Sequence, residues 1–169
     1  MKTIVLGPPG TGKTTTLLNK VDDYLKETDP DKVGYFAFTQ KAAYEARDRA
    51  IKKFNLTEDD LPYFRIINLA KLRNITAEQQ FDLAEHNQDL ERDKLRIIAN
   101  EIERYKKEYS LIDFNDMILE FIKSDKSPKF DVVFIDEAQD LSLMQWDMAK
   151  TIWNKTEDSF IAGDDDQAI

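Results

Sequence analysis

Apolar and polar positions along this chain switch between two periods. Thr3-Ile4-Val5-Leu6 is short, apolar and partly β-branched, as a buried strand requires. Thr15 to Leu25 then carries Leu17, Leu18, Val21 and Leu25 at helical spacing. Glu27 to Asp31 is a polar break with a proline. Val33 to Phe38 reads as a second buried strand, with Thr39 as the N-cap of a helix from about Gln40 to Lys53. Ala42, Ala43, Ala46 and Ala50 form the small-residue face of that helix. Asn55 to Pro62 is a loop or short capped turn, and Phe64 to Leu69 reads as a third strand.

From about Leu72 to Tyr109 the rhythm is wholly helical. The stretch has neither glycine nor proline and is rich in Glu, Gln, Lys and Arg. Two helices are predicted there, the second from about Leu90 to Lys107 with Leu95, Ile98, Ile102 and Tyr105 on one side. An amphipathic helix over Phe114 to Ile122 follows, then a loop over Ser124 to Pro128. Asp131-Val132-Val133-Phe134-Ile135 is a near-continuous apolar run, the signature of a central parallel strand covered on both faces. A helix from about Leu143 to Trp153 and a last strand over Ser159 to Ala162 complete the pattern. Strands alternate with helices, so the expected class is α/β: a mainly parallel sheet flanked by helices, with a short helical insertion at 72–109.

The first strand and first helix enclose the strongest chemical signal. Gly7-Pro8-Pro9-Gly10-Thr11-Gly12-Lys13-Thr14 fits G-x-x-x-x-G-K-[ST] at every fixed position. Gly7, Gly10 and Gly12 let the backbone curl with its N–H groups pointing inward. Those amides and the helix start suit anionic phosphates. Lys13 would place a point charge on the β- and γ-phosphates, and Thr14 would offer its hydroxyl to Mg²⁺. Pro8, Pro9, Thr11 and Thr15 complete the stretch expected to line a bound nucleotide.

Composition narrows the classes. The 169 residues suffice for one domain with a real core, and 41% hydrophobic with 34% charged residues describes a globular chain. There is no run of 18 apolar residues, so no membrane span is expected. Residues 1–6 run straight into the loop motif, and no secretory signal is expected there. The absence of cysteine excludes disulfides, a thiol nucleophile and a Cys-based zinc site, and fits a cytoplasmic setting. A net charge of −9 argues mildly against nucleic acid as a partner, yet leaves room for a local basic strip. The one histidine, His86, lies in a polar helical stretch and reads as a solvated surface residue.

Two later strand ends carry acids. Asp136-Glu137 after the apolar run is a Walker B arrangement, although Asp-Glu after a strand is also a common helix start. In parallel α/β sheets ligands bind beyond the C-terminal strand ends, which brings Asp136 to the phosphate loop. Asp136 would then hold Mg²⁺, and Glu137 would orient or deprotonate the attacking water. Gly163-Asp164-Asp165-Asp166-Gln167 is a third polar cluster; it is either an acidic surface turn or an active-site edge with Gln167 near the γ-phosphate.

These stretches together resemble the first RecA-like domain of a superfamily 1 helicase of the UvrD/Rep type, a P-loop NTPase. Gly7 to Thr14 is similar to motif I, Ala37-Phe38-Thr39-Gln40-Lys41-Ala42-Ala43 to motif Ia, and Ile135-Asp136-Glu137-Ala138-Gln139-Asp140 to motif II. Ala162 to Ile169 is similar to motif III, and Phe114-Asn115-Asp116-Met117-Ile118 to the segment leading back from the family's inserted domain. The resemblance implies ATP with Mg²⁺ as ligands and single-stranded DNA as partner. It implies DNA contacts at Phe38, Thr39 and Lys41, with a strand end and helix cap that only pack as the lesser alternative. It implies catalytic roles for Lys13, Glu137 and Gln167, with Gln139 and Asp164 coupling nucleotide to DNA.

The resemblance also sets domain expectations. Residues 1–169 correspond to domain 1A, ending within motif III, and 72–109 stands in the place of domain 1B but is much shorter. Residues 1–6 hold no counterpart of the glutamine motif that contacts adenine, and Ile66-Ile67-Asn68-Leu69 stands where the family tends to have a Thr and a His. A second RecA-like domain with arginine fingers is expected in a longer protein. The 169 residues alone are expected to bind nucleotide, turn it over slowly and not unwind DNA. The other reading is a standalone P-loop nucleotide-binding or interaction module.

Overall fold

A computed structural model describes residues 1–37, 59–85, 87 and 89–164. The expected helix over 40–53 lies outside the described residues, as do Phe38, Thr39, Lys41, His86 and Gln167. Four strands, β1 (Lys2–Leu6), β2 (Val33–Ala37), β3 (Val132–Asp136) and β4 (Asp158–Gly163), form one all-parallel sheet in the order β1-β4-β3-β2. The α/β class with a parallel sheet flanked by helices is therefore observed.

Each face of the sheet is covered by the helix that its apolar residues select. Helix α1 (Lys13–Tyr24) lays Leu17, Val21 and Tyr24 on Val132, Phe134, Phe160 and Ala162. On the opposite face Val133, Ile135 and Ile161 pack under Ala149 and Ile152 of α6 (Leu143–Trp153). Phe121 of α5 (Phe114–Ser124) reaches the same cluster. Strand β3 is buried at all five positions, which is why its sequence is unbroken by polar residues until Asp136. Burying Phe134 alone is worth about 2–3 kcal/mol.

One expected element is corrected. Phe64 to Leu69 lies inside a helix, α2 (Leu61–Leu72), not a strand. Tyr63, Ile66, Ile67 and Ala70 are its buried residues, an i, i+3, i+4, i+7 pattern that only a helix presents on one side. Pro62 sits in the first turn, where its missing N–H costs nothing. Two further helices, α3 (Ala77–Leu83) and α4 (Arg92–Glu108), pack on α2 through Phe81 and Leu95.

An ion network ties this helical layer to α5. Lys71 of α2 donates to Glu103 at 3.1 Å and to Asp113 at 3.0 Å. Lys106 of α4 donates to the same Asp113 oxygen at 3.0 Å and approaches Asp116 at 2.6 Å. Asp113 is also the N-cap of α5, accepting the Asp116 N–H in a reciprocal capping box. Burial alone would push the Asp113 carboxyl up. The Asp116 N–H and the ammonium groups of Lys106 and Lys71 outweigh it and hold the group at about 2, below the ordinary 3.8. Asn74 beyond α2 donates to Asp147 of α6 at 2.7 Å, a second tie to the sheet layer. Among the described residues no helix is long and apolar enough to cross a membrane.

Asp113→Ala is expected to lower stability by about 1 kcal/mol from the lost cap alone, read by urea unfolding at pH 7. A depressed carboxyl stabilises the fold above its unfolded value and loses that contribution as pH falls through its folded value. The charge part of the difference should therefore fade between pH 3.8 and about 2.

Candidate functional site

Strand order decides what meets at the C-terminal edge of the sheet. β4 lies between β1 and β3, and the pairings run level: Ile4 opposite Ile161, and Ile161 opposite Ile135. The loop leaving Leu6, the turn leaving Gly163 and the acids leaving Ile135 thus emerge side by side. Two strand spacings separate the loop strand from the Asp136 strand, about 10 Å. That gap is wide enough for phosphates and a hydrated cation.

The phosphate loop is held by its own backbone. Thr11 Oγ1 donates to the Pro8 carbonyl at 2.8 Å. A Cβ at residue 7 would sit 2.9 Å from that hydroxyl, so a side chain there would displace the Thr11 hydroxyl. Gly10 and Gly12 adopt φ +79°, a left-handed conformation that side-chain-bearing residues rarely take. Lys13 is half-buried, and its ammonium donates to the carbonyls of Gly7 and of Pro8, the latter at 3.1 Å.

The start of α1 differs from those of α3, α5 and α6, although α2 likewise has neither a side-chain cap nor an acid in its first turn. α3, α5 and α6 each close their first turn with a capping box, Thr76 with Gln79, Asp113 with Asp116 and Ser142 with Gln145. α1 begins after Gly12 with no side-chain cap and no acid in its first turn. Its first amides and the positive end of its dipole are left for an external anion. Thr14 and Thr15 are exposed on that turn.

Asp136 is buried, at 4% exposure, and its carboxylate is oriented from two sides. Oδ1 accepts the Glu137 N–H at 3.0 Å, and Oδ2 accepts the Tyr35 hydroxyl at 2.8 Å. Each oxygen keeps a lone pair for a metal or its water. A carboxylate and a threonine hydroxyl are all-oxygen donors, the set that suits a hard cation such as Mg²⁺. Among the described residues no cluster of three or more His, Cys, Asp or Glu could hold a metal by itself. A cation here would need phosphate oxygens and water.

Glu137 takes φ 52° and ψ 45°. The other described non-glycine residues with positive φ, Asn74, Ser110 and Asp125, all stand at or next to helix C-termini, where this conformation is usual. Glu137 stands instead at a strand exit, at a backbone cost of about 1–2 kcal/mol. The bend aims its exposed carboxylate away from the sheet, and Gln139 Nε2 donates to it at 2.7 Å. Gln139 Oε1 in turn accepts the backbone N–H of Asp164 at 3.0 Å. One side-chain amide therefore joins the end of β3 to the end of β4.

The structure thus brings together Gly7 to Thr15, Asp136, Glu137, Gln139 and Asp164. Gln167, Phe38, Thr39 and Lys41 lie outside the described residues. The sequence reading missed Tyr35. Its only signal was a polar-tipped aromatic inside an otherwise apolar strand, two positions out of register from the acid it touches.

The family described as UvrD/REP helicase N-terminal domain matches residues 1–72 and 55–169. The chain is 24% identical over 234 aligned positions to a protein named ATP-dependent DNA helicase Rep from Buchnera aphidicola, covering 98% of this chain and 36% of the relative. It is 26% identical over 237 positions to one named Probable DNA helicase II homolog from Mycoplasma genitalium, covering 98% of this chain and 34% of the relative. The chain thus spans about a third of the length of these curated relatives. The aligned positions outnumber its 169 residues, so the relatives carry intervening positions that it lacks.

The strained Glu137 backbone has a measurable consequence. Glu137→Gly and Glu137→Ala both lose the carboxylate, but only glycine relieves the left-handed conformation. The glycine variant is expected to be more stable than the alanine variant by about 1 kcal/mol, measured by urea unfolding.

Proposed function

Because the chain belongs to the UvrD/REP helicase N-terminal domain family, we propose that residues 1–169 are the nucleotide-binding half of an ATP-driven motor acting on single-stranded DNA. The observation that carries this reading is the level alignment of three strand ends around an uncapped, glycine-led helix start. A generic phosphate loop needs only the last of these features.

In this reading Gly7 to Thr15 cradle the phosphates of ATP. Lys13 leaves the Gly7 and Pro8 carbonyls to reach the β- and γ-phosphates. Thr14 and Asp136 hold Mg²⁺, Asp136 through water. Bound Mg²⁺ would neutralise charge developing on the phosphate oxygens. Glu137 accepts a proton from the water that attacks the γ-phosphorus as the bond to the bridging oxygen breaks. Gln139 relays the state of Glu137 to the Asp164 backbone, and Gln167 extends that relay toward the γ-phosphate. Phe38, Thr39 and Lys41 contact DNA, with Lys41 closest to a backbone phosphate.

Residues 1–169 are domain 1A, with 72–109 as a shortened counterpart of domain 1B; the intervening positions in the relatives support this. A second RecA-like domain supplies the arginine clamp on transition-state charge, a contribution of about 10³–10⁵ in rate in related phosphoryl transfers. Without it the 169 residues hold nucleotide, turn it over slowly and do not unwind DNA. The whole protein works in the cytoplasm with no membrane partner.

Lys13→Ala is expected to weaken binding of a fluorescent ATP analogue in Mg²⁺ by about 10–100-fold, the worth of a charge-assisted hydrogen bond. Unchanged affinity would remove the nucleotide reading. For DNA, Lys41→Ala should reduce the salt slope of single-strand binding by about one. An unaltered slope would take Lys41 off the phosphate path.

A further inference from the structure

We propose that Tyr35 is a positioning residue for Asp136, setting the direction in which that carboxylate meets a metal ion. The proposal rests on Asp136 as a magnesium holder and adds a residue from a neighbouring strand to that site.

Tyr35 lies on β2 directly opposite Phe134 of β3, and Phe134 lies opposite Phe160 of β4. Their side chains form a ladder across three strands. Tyr35 stacks on Phe134 with centroids 6.5 Å apart, and Phe134 stacks on Phe160 at 5.0 Å. Tyr24 of α1 closes over Phe134 and Phe160 edge-on, at 6.0 and 5.9 Å. The ring of Tyr35, itself exposed, thus forms the outer rung of this stack on the edge strand.

A phenylalanine would fill the same rung. What the hydroxyl adds is one contact, the 2.8 Å hydrogen bond to Asp136 Oδ2. Asp136 is two residues beyond Phe134 on the same strand, so its side chain rises on the same face as the ladder. With Oδ1 accepting the Glu137 N–H, the Tyr35 bond takes up the second oxygen and leaves the carboxylate one orientation. The arrangement has the logic of outer-shell partners of metal ligands, whose removal costs about 10–100-fold in metal affinity.

The test is a Mg²⁺ titration of nucleotide binding by the wild type, Tyr35→Phe, Asp136→Asn and the double variant. Tyr35→Phe should raise the Mg²⁺ concentration for half-maximal tightening by about 10-fold. It should leave the affinity measured in EDTA unchanged, which also reports an intact fold. Added to Asp136→Asn, it should produce no further shift, because its effect passes through that carboxylate. Tyr35→Phe matching the wild type, or producing the same shift in both backgrounds, overturns the proposal. If Asp136→Asn shifts the titration and Tyr35→Phe does not, only the role of Tyr35 falls. If Asp136→Asn is also silent, the magnesium reading of the site falls with it.

Discussion

The placement of β4 between β1 and β3 is the constraint on which the site depends. Were β1 and β3 neighbours, the phosphate loop and Asp136 would be one strand spacing apart, about 5 Å. The interposed strand doubles that distance and puts a third strand end, Gly163-Asp164, between the other two. Parallel pairing keeps the ends level, so three separate sequence motifs open onto one edge. The apolar surface that holds β3 and β4 in place is shared by α1 on one face and α6 on the other.

Polar contacts then refine what packing has placed. Tyr35 and the Glu137 N–H orient Asp136, and the left-handed turn at Glu137 throws the second acid outward. Gln139 joins that acid to the next strand end. The Asp164 backbone is thereby two hydrogen bonds from the Glu137 carboxylate. The helical layer is tied in separately. Lys71 and Lys106 share the carboxylates that cap α5, and α5 packs on the sheet through Phe121.

Much of this was legible in residue order. The β3 run, the glycine-led loop and the Asp-Glu pair are each encoded within a few consecutive residues, where local chemistry and structure coincide. Phe64 to Leu69 was misread because a short apolar run fits either a strand or a buried helix turn. The i, i+3, i+4, i+7 set of Tyr63, Ile66, Ile67 and Ala70 identifies the helix only when the window is widened to 63–70. The caps were readable too: Thr76-x-x-Gln79 marks the start of α3 five residues beyond Leu72. Tyr35 was not readable, because its role depends on strand pairing across about a hundred residues of chain. Gln139 was assigned to coupling by family resemblance alone; its two hydrogen bonds give that assignment a geometry.

The central claim is that these three strand ends form one nucleotide site. Its most direct test is the amide spectrum of ¹⁵N-labelled protein with ATP and substoichiometric Mn²⁺, a paramagnetic substitute for Mg²⁺. Simultaneous broadening is expected at Gly10 to Thr15, at Asp136 to Gln139 and at Asp164. Broadening confined to the loop residues, with Asp136 to Gln139 and Asp164 untouched, would contradict it.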